Sequence, residues 1–170
     1  MASYNDGKLE VLQYIMSLEP SSILDVGACD GKWAMMLVAA GYKGRLDACE
    51  IFGPNASQIL GLYDNVFVGD IAHYRYASET YDVILFGDVI EHMDPSAANM
   101  ALMYARYHTR QDVIVGVPFQ YPQGEIYGNP YERHIQDDLT PELFEVRYGD
   151  IGLELWLRPR ADYAYYRLKR

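Results

Sequence analysis

The sequence predicts an α/β fold, with a mostly parallel sheet, helices on both of its faces and an antiparallel hairpin at one edge. Short apolar segments alternate with segments of helical periodicity along most of the chain, and strands that alternate with helices form parallel sheets. The last two apolar segments, 153–157 and 162–168, are separated by only four residues. Parallel strands need a connection of about a dozen residues or more, so these two segments must pair antiparallel.

Each element is predicted from a local signal. Apolar residues of segment 7–19 recur at helical spacing until Pro20 ends the run. Asp94 and Thr140 each precede a proline and begin a helix, because their side chains cap the first turn. The other predicted elements are strand 22–26, helix 32–40, strand 45–50, helix 54–60 and strands 66–68, 81–86 and 112–117.

Length, charge and cysteine content narrow the class of protein. A chain of 170 residues fits a single domain. Its 24 acidic and 14 basic residues give a net charge of −10, which makes a nucleic-acid partner or a polybasic membrane surface unlikely. Its two cysteines, Cys29 and Cys49, form neither a disulfide framework nor a zinc motif. With no signal-peptide pattern and no membrane-length apolar run, we expect a cytoplasmic protein.

A glycine-bearing turn, residues 25–31, follows the first predicted strand. Ligands of open α/β sheets bind beyond the carboxyl ends of the strands, where small residues let them approach the backbone. A phosphate-binding P-loop needs four residues between its glycines, then Lys and Ser or Thr. Here three residues separate Gly27 from Gly31, and Lys32 is followed by Trp33. The turn is therefore not a P-loop.

The dinucleotide fingerprint fits this turn poorly. It requires glycines at positions 27, 29 and 32, and the chain has Cys29 and Lys32 at the last two. A third pattern fits better, with an acidic residue, Asp25, two positions before Gly27 and with Cys29 in a middle slot. A nicotinamide-dependent oxidoreductase remains an alternative, because Glu50 could hold the ribose of a dinucleotide.

Two further acidic residues follow the next strands. Glu50 lies nineteen residues after Gly31, at the end of the second predicted strand, and Asp70 follows the third. A carboxylate at the first position can accept both hydroxyls of a ribose, and one at the second can accept from an adenine amino group. Together with the glycine turn, these residues predict an adenosine-binding cleft.

Four stretches, in this order, resemble class I S-adenosylmethionine (SAM)-dependent methyltransferases: residues 23–31, Glu50, Gly69-Asp70 and residues 81–93. The resemblance implies a Rossmann-like, doubly wound, seven-stranded sheet with an antiparallel last strand. It also implies one methyltransferase domain over residues 1–170, SAM as cofactor and S-adenosylhomocysteine (SAH) as product.

The resemblance also implies which residues contact SAM. They are Asp25, Gly27, Ala28, Cys29 and Gly31 at the methionine part, Glu50 and Ile51 at the ribose, Asp70 and Ile71 at the adenine, and Phe86, Gly87 and Asp88 beside the sulfur. Cys29 stands where the family usually has glycine. Its side chain must therefore point away from the cofactor or narrow the cleft.

Methyl transfer is an in-line displacement, and an oxygen acceptor usually needs a base. Glu91 and His92 follow the fourth predicted strand, and His92 is the natural base because its unperturbed pKa is near neutral. The alternative is that both residues hydrogen-bond the neighbouring loop. The long irregular segment 119–139 is a candidate lid, and Tyr127, Tyr131 and His134 are expected to border the acceptor pocket. His134 alternatively anchors this loop to the sheet.

A metal site is a further hypothesis. Asp88, Glu91, His92 and His134 would supply two carboxylates and two imidazoles, a set that suits a divalent metal. The pattern resembles the metal site of small-RNA 3′-end methyltransferases, although the chain lacks the further histidine-rich pattern of that family.

Taken together, these patterns predict a methyltransferase that transfers the methyl group of SAM to a small-molecule or sugar-like acceptor. Besides the nicotinamide-dependent oxidoreductase, two alternatives stay open: a catalytically silent module that binds SAM or SAH, and a metal-assisted O-methyltransferase. A homodimer could complete the acceptor pocket.

Overall fold

A computed structural model describes residues 5–72 and 80–170, which form a seven-stranded sheet flanked by helices. The strands are β1 (Ser22–Val26), β2 (Arg45–Glu50), β3 (Asn65–Val68), β4 (Tyr81–Gly87), β5 (Thr109–Pro118), β6 (Glu154–Arg160) and β7 (Tyr163–Lys169). The helices are α1 (Lys8–Ser17), α2 (Lys32–Ala39), α3 (Gly53–Ile59), α4 (Pro95–His108) and α5 (Pro141–Tyr148). Within the described ranges, no helix is both long and apolar enough to cross a lipid bilayer.

The strand order is β3-β2-β1-β4-β5-β7-β6, and β7 runs antiparallel to both of its neighbours. This topology confirms the predicted sheet and its antiparallel last strand. Val26, at the end of β1, pairs with Cys49 of β2 on one side and with Phe86 of β4 on the other. The residues that follow these three positions therefore meet at one edge of the sheet, beside the switch in strand order.

Helices cover both faces of the sheet, so the central strands are buried on both sides. Leu24 and Phe86 belong to the core beneath α4 and α5, whereas Ile23 and Leu85 belong to the core beneath α1 and α2. All four side chains are fully buried, and each contributes roughly 1.5–3 kcal/mol of hydrophobic stabilisation.

The predicted helix caps are present. Asp94 Oδ1 accepts hydrogen bonds from the backbone N–H groups of Ser96 and Ala97, both at 3.0 Å. Thr140 Oγ1 accepts from the N–H of Leu143 at 3.1 Å. The hairpin differs from its prediction, because β6 continues through Pro159. Since β6 is an edge strand, the missing N–H of this proline breaks no central ladder.

The segment 119–139 follows β5 and is anchored at its end. The backbone N–H groups of Ile135 and Gln136 both donate to the carbonyl of Glu91, at 2.8 and 2.9 Å. The amide of Gln136 donates to the carbonyls of Ile90 and Met93, at 2.8 and 3.0 Å. This end of the loop is thus fixed to the turn that follows β4.

Candidate active site

A two-lobed cleft opens at the carboxyl edge of the sheet. Its lobes have volumes of about 770 and 730 Å³, mouths included. Both lobes are lined by Gly27, Ile51, Val89, His92 and Tyr131. Because the lobes share these residues, they are two parts of one cleft.

The first lobe contains most of the residues predicted to contact the methionine and ribose parts of SAM. Those residues are Gly27, Ala28, Cys29, Glu50 and Ile51, and Gly87 and Asp88, predicted beside the sulfur, line the same lobe. The side chains without a predicted role that also line this lobe include Lys8, Asp30, Lys32, Trp33 and Glu132. The first lobe thus carries both positive and negative groups.

The second lobe contains Asp70 and Ile71, the residues predicted at the adenine. Its other walls include the apolar side chains of Val26, Ala97 and Ile135. Asp70 Oδ1 accepts a hydrogen bond from a neighbouring backbone N–H at 2.8 Å, which fixes the carboxylate. An apolar lobe with one oriented carboxylate suits an aromatic base that carries an amino group.

The glycine turn has the shape that its sequence predicts. Gly27 and Gly31 adopt φ values of 69° and 76°, which L-residues rarely adopt. A Cβ at Gly27 would also collide with the side chain of Val89, and one at Gly31 with that of Leu62. Cys29 adopts a φ of 49° despite its side chain. The turn is therefore strained where the family usually has glycine.

Glu50 is 4% exposed and is held by the backbone. Oε2 accepts from the N–H of Cys29 at 2.9 Å, and Oε1 accepts from the N–H of Phe52 at 2.8 Å. Burial raises the pKa of Glu50, and these backbone donors oppose that shift. Each oxygen keeps a lone pair for a further donor, so the carboxylate can accept two ribose hydroxyls.

Asp25, Gly31 and Phe86 do not line the cleft. Asp25 is 1% exposed, and its Oδ2 accepts a hydrogen bond from the hydroxyl of Tyr63 at 2.5 Å. Gly31 lies at the N-cap of α2. Phe86 is fully buried in the core, which does not support its predicted place beside the sulfur. Because β4 is covered on both faces, Gly87 at its end is the only residue of this strand that lines the cleft.

Asp88 is held by residues from both ends of the chain. Its Oδ1 accepts from the hydroxyl of Tyr163 at 2.6 Å, and its Oδ2 lies 3.5 Å from Nζ of Lys8. Its backbone is also left-handed, with a φ of 62°. These contacts direct the carboxylate toward α1 and β7.

Glu91, His92 and His134 form a cluster whose potential ligand atoms all lie within 4.8 Å of one another. The two imidazole rings meet edge to face, with centroids 4.6 Å apart. Asp88 is not part of this cluster among the described residues. Asp88 therefore stands apart from the other three residues of the predicted metal set, because its carboxylate is engaged by Tyr163 and Lys8.

Hydrogen bonds to the loop set the tautomers of both histidines. Nδ1 of His92 lies 3.2 Å from the carbonyl of Arg133, and Nδ1 of His134 lies 2.5 Å from that of Tyr121. A carbonyl only accepts, so each Nδ1 carries the proton and each Nε2 keeps its lone pair. Burial and the neighbouring His134 lower the pKa of His92 to about 4, and burial lowers that of His134. Both rings are neutral near pH 7.

Glu91 lies beside these rings, 1% exposed. Neither of its carboxylate oxygens has a hydrogen-bond partner within residues 5–72 and 80–170. Its Oε1 lies 3.9 Å from Nε2 of His92, too far for a hydrogen bond. Burial, and then the charge of Asp88, raise the pKa of Glu91 well above its usual value. One orphaned carboxylate and two imidazole lone pairs fit a divalent cation.

Of the three residues predicted to border the acceptor, Tyr131 and His134 lie at the cleft or beside its cluster, and Tyr127 does not. Tyr131 lines both lobes, and His134 belongs to the cluster beside His92. Tyr127 is 84% exposed and lines neither lobe.

Cys29 lines the first lobe, and burial raises the pKa of its thiol to about 12, so the thiol stays protonated.

The fold of the chain is similar to that of known methyltransferases. A family model described as a methyltransferase domain matches residues 3–136. No curated protein is significantly similar to the chain in sequence. An O-methyltransferase family protein from Burkholderia thailandensis has a similar structure, with a TM-score of 0.71 and 10% identity. The match covers 96% of this chain and 55% of that protein, so the chain spans about half of its length.

Two other solved structures match over most of both chains. The methyltransferase domain of bacterial CtHen1-C has a TM-score of 0.73 and 16% identity, over 95% of this chain and 96% of that one. The N-terminal domain of EvdMO1, crystallised in the presence of SAH and D-fucose, has a TM-score of 0.69 and 13% identity, over 99% and 85%. Since the family model spans most of the sequence and the fold agrees with it, the chain belongs to the class I SAM-dependent methyltransferases.

Proposed function

We propose that this methyltransferase acts on a hydroxyl group of a small, sugar-like molecule, and that His92 contacts that hydroxyl. The observation that carries the proposal is the position of His92 at the junction of the two lobes. Bound SAM supplies an electrophilic methyl group, and the protein must orient an acceptor oxygen toward it.

His92 has the properties that an oxygen acceptor requires. Its Nδ1 is bonded to the carbonyl of Arg133, so Nε2 accepts the hydrogen bond of the acceptor hydroxyl. Its lowered pKa keeps the ring unprotonated near pH 7, so the lone pair of Nε2 is available for this hydrogen bond. Oε1 of Glu91 lies 3.9 Å from Nε2 of His92, so Glu91 borders the position that the acceptor hydroxyl would occupy.

The mouth of the cleft favours a small neutral acceptor. Tyr131 is 48% exposed and its ring centroid lies 6.4 Å from that of Phe52. Exposed aromatic rings at a cleft bind the apolar faces of compact organic molecules. The use of D-fucose with the similar EvdMO1 domain supports a sugar-like class. The net charge of −10 disfavours a polyanionic nucleic acid.

A metal-assisted O-methyltransferase is the second candidate, favoured by the orphaned carboxylate of Glu91. Glu91, His92 and His134 would hold a divalent cation, which supplies Lewis-acid polarisation of an acceptor oxygen. The backbone carbonyls that fix both imidazoles are the outer-shell partners that metal-binding histidines usually have.

The proposal is tested by measuring SAH production from SAM with a panel of monosaccharides and small alcohols. We expect turnover with at least one of them, and His92→Ala should lower kcat at least a hundredfold while the Kd for SAH changes less than threefold. His108→Ala, which removes an imidazole from the remote α4, is the matched control. Assays with a chelator, and then with added Mg²⁺ or Mn²⁺, separate the metal-assisted candidate.

Other results would contradict the proposal. SAH binding without turnover on any acceptor would favour a silent binding module. Full activity of His92→Ala would show that another group contacts the acceptor.

A further inference from the structure

Glu132 is a buried carboxylate of the first lobe with no role in the steps above. It ends the short 3-10 helix Pro130–Glu132 and is 8% exposed. Its Oε1 accepts from Nδ2 of Asn129 at 3.4 Å and lies 3.9 Å from Sγ of Cys29. Its Oε2 is buried and has no hydrogen-bond partner in the described part of the chain.

A buried carboxylate oxygen without a donor costs roughly 1–3 kcal/mol or more, so it calls for a missing partner. Burial, and then the charge of Glu50, raise the pKa of Glu132 above its usual value. A positively charged donor in the first lobe would satisfy Oε2 and reduce this repulsion.

The hydrogen-bond donors of SAM identify that partner. The two oxygens of Glu50 keep one lone pair each, enough for two ribose hydroxyls. Asp70 lies in the second lobe, where the adenine amino group is predicted. The α-ammonium group is the remaining donor, and it carries a positive charge. Lys8 and Lys32 line the same lobe and supply positive charge for the adjoining carboxylate of the ligand.

We propose that Glu132 binds the α-ammonium group of SAM and of SAH. The contact requires SAM as cofactor but not the acceptor class proposed above. It makes the loop that carries His134 part of the cofactor site as well. Cofactor recognition then depends on a residue outside the four stretches that resemble the family.

The test is calorimetric titration of the full chain with three probes: SAH, 5′-methylthioadenosine, which lacks the amino-acid part, and a deaminated SAH analogue that keeps the carboxylate. Glu132→Gln should weaken SAH binding about 10- to 100-fold, the value of one charge-assisted hydrogen bond. It should change the affinity for the two other probes less than twofold. Glu125→Gln, an exposed position in the same loop, is the matched control and should change none of the three.

Each other outcome overturns the contact. Equal weakening of SAH and 5′-methylthioadenosine would place Glu132 against the adenosine part. Unchanged SAH affinity, with a thermal unfolding temperature that has fallen, would give Glu132 only a structural role. These readouts measure binding alone, so they are independent of whether a sugar-like molecule is methylated.

Discussion

His92 and His134 meet edge to face with their centroids 4.6 Å apart, and each ring has Nδ1 on a backbone carbonyl of the same loop. The loop thus fixes the orientation and the tautomer of both rings before any ligand binds. Little side-chain entropy remains to be lost when an acceptor or a cation binds between them.

Glu91→Gln tests the cation site. We expect Mn²⁺ or Mg²⁺ near a hundredfold excess over Kd to stabilise the wild type by about 2.7 kcal/mol, or roughly 5–10 °C in the unfolding temperature. The variant should show a much smaller shift, because a neutral amide oxygen is a weaker ligand for these cations than a charged carboxylate. Thermal scans with chelator and with each metal measure both values. Glu142→Gln, at an exposed position, is the control and should keep the wild-type shift. An equally large shift in Glu91→Gln would contradict the site.

Asp25→Asn tests the effect of the carboxylate beneath the cleft on stability. Burial raises the pKa of Asp25 to about 7, while Tyr63 and Lys8 oppose the shift. Between about pH 4 and 7 the folded chain therefore holds a proton that the unfolded chain has released. The free energy of unfolding should fall across this window as the pH rises, by about 4 kcal/mol if the shift is three units.

Urea denaturation of the wild type and Asp25→Asn at pH 4.5, 6 and 8 isolates this contribution. The wild type should lose stability relative to the variant as the pH rises, since asparagine does not titrate. Parallel profiles would show that Asp25 does not change its protonation on folding.

Gln136→Leu tests the loop anchor. Besides its two donor contacts, Oε1 of Gln136 accepts from Tyr148 at 2.8 Å and from Arg147 at 2.9 Å. Loss of these bonds should lower the free energy of unfolding by about 3 kcal/mol and speed amide exchange at Ile135. Tyr148→Phe, which removes one bond, should cost about 1 kcal/mol. Denaturation and hydrogen exchange compare the two substitutions. Equal effects would show that the other hydrogen bonds of Gln136 add nothing to the bond from Tyr148.

Two substitutions of Cys29 test whether the glycine turn is strained. Because its φ is 49°, Cys29→Val should lower the free energy of unfolding by about 1–3 kcal/mol, since a β-branched residue suits this conformation least. Cys29→Gly should keep the wild-type stability within about 1 kcal/mol, with relief of strain offsetting greater unfolded-state entropy. Chemical denaturation compares the pair, and a stable Val variant would contradict the strain.

The fold was predictable because its signals are local. The capping residues Asp94 and Thr140 predicted where α4 and α5 begin. The short link between β6 and β7 predicted the antiparallel hairpin. The acidic residues at the ends of β2 and β3 were likewise found from their positions in the chain.

The features of the site that the sequence did not predict depend on contacts between distant segments. Every residue of β4 up to Phe86 is buried, so no alternation of polar and apolar residues reveals that this side chain enters the core. The partners of Asp88 come from α1 and β7, which no local pattern brings together. Glu132 lies in the irregular segment 119–139, where no periodicity predicts which side chains face the cleft.

The contacts of the loop extend over most of its length. The carbonyl of Tyr121 holds His134, and Nε2 of Gln123 donates to the carbonyl of Glu132, while Ile135 and Gln136 are fastened to the turn after β4. The exposed side chains of Glu125 and Tyr127 line neither lobe. A mutant library confined to these two positions should leave SAH affinity intact, whereas replacement of Gln123 should weaken it, because its amide helps to position Glu132.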